Sequence, residues 1–333
     1  MLSPSDLLHL PYTPDLTTGG IAYACRSLAY TYDRMGGTPA DRLRRIVAGI
    51  AVELAFRRLL VANHVPHDLQ GATPFTDPDR YDVALGGRRC DLKSFLIYHQ
   101  DRIRLIQNQP EKLLDAEALI PVDQMASGPM YDEDLYLFAF FTATLTPRTQ
   151  EVVQALAAKK PVMLIHVFPD RWTRSPNWRS LGQLVMKTEL PQPITVDIGG
   201  QGEDRKFKEA RLTLPPGQRF LVPGDWYGIS YLSGTEFPRA RLGMHSPTLA
   251  ETYLIQPHQW ANIWVYGLEI ILAGYITRGE FRRRARHLPS GSRVFQYAHT
   301  QTENLFLPVS ELHPLSDLFL RAQNWASQNV QSP

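Results

Sequence analysis

The chain has 333 residues, of which 44% are hydrophobic and 20% charged, with 35 basic against 33 acidic side chains for a formal charge of +2. That composition excludes the disordered class, supports a full apolar core and corresponds to roughly two domains at about 150 residues each. Two cysteines, Cys25 and Cys90, exclude a disulfide framework and an all-cysteine zinc site, while a near-neutral charge neither demands nor excludes nucleic acid, because a local basic groove is enough to track phosphates.

Met1 to Leu10 lacks the basic region of a secretory leader. The longest apolar stretches, Leu135–Leu145 and Ala261–Ile276, fall short of the ~20 residues that span a bilayer. With no CxxC spacing either, the expectation is a soluble cytoplasmic protein with no membrane partner.

Residues 1–37 read as an N-terminal extension with a short helix around Ile21–Met35, closed by Gly36-Gly37. Thr38-Pro39 then gives an N-cap and an N1 proline, and Leu43, Ile46, Val47, Ile50, Leu54 and Leu60 recur at helical spacing to about Asn63. A Pro- and Asp-rich loop, Pro66–Arg80, leads into two short runs, Tyr81–Leu85 and Arg88–Ile97, split by Gly86-Gly87: a two-residue hairpin. A polar helix over about Arg102–Ala118 precedes Leu135–Leu145, whose density of Phe and Tyr is that of a buried central strand. A helix (Thr149–Lys159) and a strand (Val162–Phe168) follow. From residue 169 to 254 the chain is rich in Pro and Gly with short apolar runs, a β-rich insertion. Ile263–Ile276 returns to strand, Arg278–His287 reads as a short amphipathic helix, and Asn304–Phe319 as a last strand and hydrophobic tail. The predicted architecture is α/β. A central mixed β-sheet flanked by helices is built from 38–168 and 255–325 and interrupted by the insertion. Two sequential domains split near residue 170 are the alternative.

The hairpin carries the chemistry. With Leu85 paired to Arg88, counting back along both strands sets Asp82 opposite Asp91, about 4.5–5.5 Å apart on one face. Like charges there repel, and a divalent cation between hard oxygen ligands removes the objection. Lys93 shares the face of Asp91, while Cys90 and Leu92 point the other way. Glu53 lies at the edge of the buried stripe of the long helix, where a carboxylate is costly unless paired, protonated or metal-bound.

These residues resemble the PD-(D/E)XK, or restriction-endonuclease-like, nuclease superfamily. Glu53 stands in GIAVELAFRRLL, Asp82 in RYDVALGG and the D-x-K element is Asp91-Leu92-Lys93. The likeness covers about residues 38–145 and more loosely IILAGYITRGEF; Tyr81 stands where the pattern has proline. The resemblance implies metal-assisted phosphodiester hydrolysis. Asp82 and Asp91 would hold Mg²⁺, with Mn²⁺ as a substitute, and the Leu92 carbonyl would add a ligand. Lys93 would orient the attacking water and stabilise phosphoryl charge, and Glu53 would hold a second metal or position its water. It also implies DNA as substrate in restriction, phage defence, repair or a mobile element, a homodimer by analogy, and protein partners of such a system. A ribonuclease and a non-cleaving binding module are the rivals.

Other readings stand beside these. The hairpin charges also fit a solvated surface cluster, and Glu53 an i,i+4 ion pair with Arg57. Arg278, Arg282 and Arg286, with Arg283 and Arg284, form the densest basic run, a phosphate contact or a solvated face. Gln124 is a candidate accessory residue. Trp226, Tyr227 and Tyr231 fit base stacking less well than core packing, and Gly199–Gly202 reads as a turn rather than a phosphate loop.

Overall fold

The computed structural model describes residues 2–27, 39–69, 82–126, 131–145, 148–159, 162–236, 239–263 and 265–330. The chain forms two compact units, Met1–Gly20 with Ala48–Leu145 and Val265–Pro333, and Ile21–Val47 with Thr146–Trp264. The first stretch runs β1 (Leu8–Pro11), α1 (Pro14–Ser27), α2 (Pro39–Ala62), β2 (His67–Asp68), β3 (Val83–Leu85), β4 (Arg88–Ile97), α3 (Gln100–Asn108), β5 (Glu117–Pro121), α4 (Val122–Ala126) and β6 (Leu135–Leu145). The second unit continues with α5 (Thr149–Ala157), β7 (Leu164–Val167), α6 (Asp170–Thr173), β8 (Val185–Thr188), β9 (Ile194–Gln201), β10 (Phe207–Leu214), β11 (Arg219–Leu221), β12 (Gly228–Gly234), β13 (Leu242–Ser246), β14 (Glu251–Ile255) and β15 (Ala261–Asn262). The chain then returns as β16 (Val265–Thr277), α7 (Arg278–Arg284), β17 (Arg286–Leu288), β18 (Asn304–Pro308) and α8 (Leu315–Val330).

The first unit is mixed α/β. Its six-stranded sheet has the order β1-β16-β6-β4-β3-β2. The β4–β6 pair is parallel and the others antiparallel. β6 lies inside the sheet, and Leu135 to Ala143 are buried on both faces, as an uninterrupted apolar run requires. On one face Phe95, Tyr136, Phe138, Phe140, Ile271 and Phe281 join the core. A small sheet, β17-β18-β5, supplies Ala118, Leu119 and Leu307 to the same cluster. α2 buries Ala48, Ala51, Val52, Ala55 and Phe56, the i,i+3,i+4 stripe of an amphipathic helix.

In the second unit a five-stranded sheet (β10-β9-β12-β7-β15) and a four-stranded sheet (β11-β8-β13-β14) feed one cluster that includes Trp172, Met186, Val196, Leu212, Trp226 and Met244. Gly199 and Gly200 belong to β9, not to a turn: a Cβ at Gly199 would stand 2.2 Å from the Tyr231 ring, and one at Gly200 2.1 Å from the Gly228 carbonyl oxygen. These glycines permit close packing across the β9–β12 pair.

Several expected boundaries move. Residues 1–37 are not a separate extension, because β1 pairs with β16 from Leu8↔Leu272 to Pro11↔Glu269. The core does not run on to 168, since β7 pairs with β12 and β15 in the second unit, and it resumes at Val265 rather than 255. The helix expected over Ile21–Met35 is Pro14–Ser27, and its later part lies outside the described residues. α3 stops at Asn108, where Pro110 opens a 3₁₀ turn before β5. The hydrophobic tail is the 16-residue helix α8. Among the described residues no helix is long and apolar enough to cross a membrane.

Candidate active site

Gly86 and Gly87 have φ of 54° and 84°, the two positive values of a type I′ turn. The turn fixes the register Leu85↔Arg88, Ala84↔Arg89 and Val83↔Cys90. The ladder ends at Val83: Asp82 lies in the bend just before β3, and its N–H donates to the Cys90 carbonyl at 3.2 Å, so the expected register partnership of Asp82 with Asp91 is not formed. The Asp82 carboxylate turns onto the neighbouring strand and accepts the Leu92 N–H at 2.6 Å.

Asp91 and Lys93 alternate onto the face that continues, along β4, as Phe95 and Ile97 in the aromatic core. The parallel register sets them beside Tyr136 and Phe138 of β6. Lys93 Nζ lies 2.6 Å from Asp91 Oδ2 and donates to Gln124 Oε1 at 2.9 Å. Both charged side chains are mostly buried, at 16% and 25% exposure, so this pair is worth more than a solvated surface bridge. Gln124 comes from α4, and the structure places it on the lysine.

Glu53 lies 3.6 Å from Arg57, the i,i+4 ion pair, and Arg57 Nη2 donates to the Asp82 carbonyl at 3.2 Å. Gly49, one turn earlier on α2, packs near Ser94, whose side chain points from the face opposite Asp91 and Lys93. The structure therefore forms an Asp91–Lys93–Gln124 group and a Glu53–Arg57–Asp82 chain, with the Asp82 carboxylate bonding the backbone between Asp91 and Lys93.

Asp134 and Tyr136, which the sequence pattern does not single out, and Arg278, which it reads only as part of the basic run, support this arrangement. Buried Asp134 accepts the N–H groups of Arg89 (3.2 Å) and Tyr131 (2.6 Å), tying the segment before β6 to the hairpin. Buried Arg278 donates its backbone N–H to the Asp134 carbonyl at 2.7 Å and its guanidinium to the Met125 carbonyl at 2.5 Å, next to Gln124. Tyr136, the register partner of Asp91, donates to Met125 Sδ at 3.3 Å. Burial, with the Asp91 carboxylate second, pushes its hydroxyl up to about 12. Burial also pushes the Cys90 thiol well above its ordinary range, and Asp82, Asp91 and Asp134 add to the shift. Cys90 is thus a neutral packing residue on the face away from the carboxylates. The only sequence signal for this support was position: Asp134 immediately precedes β6, and Arg278 immediately follows β16.

The basic run is not a helical face of free cations. Arg278 is buried, and Arg286 lies in β17 rather than on the helix. Arg282 pairs with Asp132 at 2.9 Å, Arg284 with Glu280 and Glu311, and Arg286 with Glu311 at 3.6 Å. Arg283 is exposed. Acids distant in sequence therefore neutralise most of the run. Trp226 and Tyr231 are wholly buried, as core packing requires.

Among the described residues no three His, Cys, Asp or Glu side chains gather as a metal-binding group. The hairpin instead offers the Asp91 carboxylate and, bonded to the backbone N–H of the next residue, the Asp82 carboxylate. That donor set fits Mg²⁺, which keeps several waters and is commonly held by one or two carboxylates together with substrate phosphates. Compared with protein-family models, with curated proteins and with solved structures, the chain matches none of them.

Proposed function

We propose that the chain is a Mg²⁺-dependent deoxyribonuclease, an endonuclease built on a restriction-endonuclease-like core. One observation carries the reading. The Asp82 carboxylate accepts the Leu92 N–H, between Asp91 and Lys93, and the Lys93 ammonium is bonded to the Asp91 carboxylate. Lys93 neutralises one carboxylate, and a divalent cation between Asp82 and Asp91 would balance the other.

Mg²⁺, or Mn²⁺ in its place, would be held by Asp82 and Asp91, with the Leu92 carbonyl as a further ligand, and when bound supplies phosphate neutralisation and a lowered pKa for water. Lys93 donates to the phosphoryl oxygens as charge builds there, in a half-buried site where such a contact is worth more than in water. Gln124 fixes the ammonium by accepting one of its protons. Glu53 acts through Arg57 on the Asp82 carbonyl and sets the start of the hairpin. DNA as substrate, a homodimer, and a role in restriction, phage defence, repair or a mobile element come from the family resemblance.

The test is cleavage of supercoiled plasmid with Mg²⁺ or Mn²⁺ against EDTA, for wild type, Asp91→Ala and Lys93→Ala. Metal-dependent nicking or linearisation is expected in wild type and in neither variant. Cleavage of RNA alone would make the protein a ribonuclease. Plasmid, single-stranded DNA and RNA all left intact by wild type would overturn the reading in favour of a binding module.

A further inference from the structure

Six non-glycine residues among those described have a left-handed backbone, and three of them, Asn177, Trp178 and Arg205, meet at one place on the second unit. Such conformations cost free energy and persist where surrounding structure holds them, often at binding sites. Here the Asn177–Trp178 turn is locked by Ser175, whose hydroxyl donates to the Arg179 carbonyl at 2.5 Å and accepts the Arg179 N–H at 2.9 Å. The turn presents the half-buried Trp178 ring, and its Nε1–H donates to the Glu203 carbonyl at 2.7 Å, which fixes the ring plane. Half-buried Tyr227 lies beside it, ring centroids 5.9 Å apart at 37°. The exposed Arg205 guanidinium lies 4.9 Å over the indole.

We propose that Trp178, Tyr227 and Arg205 form a stacking platform for unpaired nucleobases, so that the second unit binds single-stranded nucleic acid. Two π-faces and a guanidinium plane are the contacts that sequence-tolerant single-strand binders use, and every base offers a face to them. Cations for the phosphates lie at hand. Arg179 and Lys206 are exposed on the flanking turns, while the Lys208 ammonium is taken up by the Asp225 carbonyl at 2.5 Å and the Trp226 ring. The local acids are partly engaged, since Lys206 pairs with Asp204 at 3.2 Å and Glu203 neighbours the Tyr227 hydroxyl. A quaternary-ammonium ligand fits less well, because Arg205 already takes the cation position over Trp178. The inference does not depend on the nuclease reading.

The experiment is fluorescence anisotropy of labelled dT15 and U15, and of a 15-base-pair DNA duplex, with the full chain in EDTA so that nothing is cut. Wild type should bind a single strand more tightly than the duplex. Trp178→Ala should weaken that binding roughly 5- to 150-fold, the range for losing one base–aromatic stack. Trp178→Phe, which keeps a π-face, should stay within a few-fold of wild type and controls for damage to the turn. A preference for dT15 or for U15 identifies the sugar. Equal affinity for duplex and single strands, or unchanged affinity in Trp178→Ala with a native circular dichroism spectrum, would overturn the proposal. A protein that cuts in a metal-dependent way but fails this test loses only the platform. One that binds through Trp178 and never cuts loses only the nuclease reading.

Discussion

Gly86→Ala tests whether α8 packs on the hairpin turn between β3 and β4. An alanine at φ 54° costs about 1–2 kcal/mol in the left-handed region, offset by about 0.4–1 kcal/mol from the stiffer unfolded chain. Gly291, in the same unit at φ 81° with open space for 4 Å around the methyl an alanine would add, carries only that cost, so Gly291→Ala should lose about 1 kcal/mol. At Gly86 the new Cβ would also stand 2.7 Å from the Ala322 carbonyl oxygen, 2.7 Å from Trp325 Cβ and 3.3 Å from the Ala326 N. These atoms belong to α8 itself and cannot swing aside, so a further overpacking cost of about 1–3 kcal/mol follows. Urea unfolding followed by far-UV circular dichroism should therefore show Gly86→Ala losing about 2–4 kcal/mol, well beyond the control. Equal losses in the two variants would refute the packing of α8 against the turn.

Gln124→Leu leaves the Lys93–Asp91 bond and removes the acceptor at 2.9 Å. A lost hydrogen bond to a charged group costs about 1.5–3 kcal/mol, so the plasmid-cleavage rate should fall by roughly 10- to 150-fold, and a rate equal to wild type would remove Gln124 from the site. In the second unit, burial holds the His166 imidazole below its ordinary pKa, while Nδ1–H donates to the Gln259 carbonyl at 3.2 Å and Nε2 lies 3.3 Å from the Tyr253 hydroxyl. Because the folded value is depressed, its contribution to stability is complete above about pH 6.5 and is lost as pH falls through the folded value. Thermal unfolding between pH 8 and pH 5 should show a shallower fall for His166→Phe than for wild type, and parallel curves would contradict a neutral buried histidine.

Local pattern carried the hairpin and the long helix. Gly86-Gly87 admits one short turn, and the turn fixes the register from Leu85↔Arg88 to Val83↔Cys90, where the ladder stops one residue short of Asp82. The helix expected from Thr38 to Asn63 is Pro39–Ala62, and the buried strand falls at Leu135–Leu145 as read. What escaped depends on partners far away in the chain. β1 has only four residues, His9 and Pro11 among them, and exists as a strand because β16 lies some 260 residues on. α8 buries Leu315, Leu318 and Ala322, a stripe obscured by the polar residues around it. The basic run looked like a phosphate contact because Asp132 and Glu311, which neutralise it, are not its sequence neighbours. Asp134 and Arg278 support the site through side chains that bond the backbone groups of Arg89, Tyr131 and Met125, and backbone partners leave no signature in residue type.

The pairing of β6 with β16 places a specific burden on synthesis. Leu145 and Val265 are partners in one ladder, yet about 120 residues lie between them, so at about 5–20 residues per second the ribosome needs roughly 6–24 s to deliver the second strand after the first. Throughout that interval β6, with its run of Leu, Tyr, Phe and Ala, has β4 on one side and an open row of backbone donors and acceptors on the other. A nascent chain in that state is a template for pairing with its neighbours on a polysome. Yield during expression should accordingly depend on translation rate and on holdase chaperones more than the stability of the finished fold would suggest.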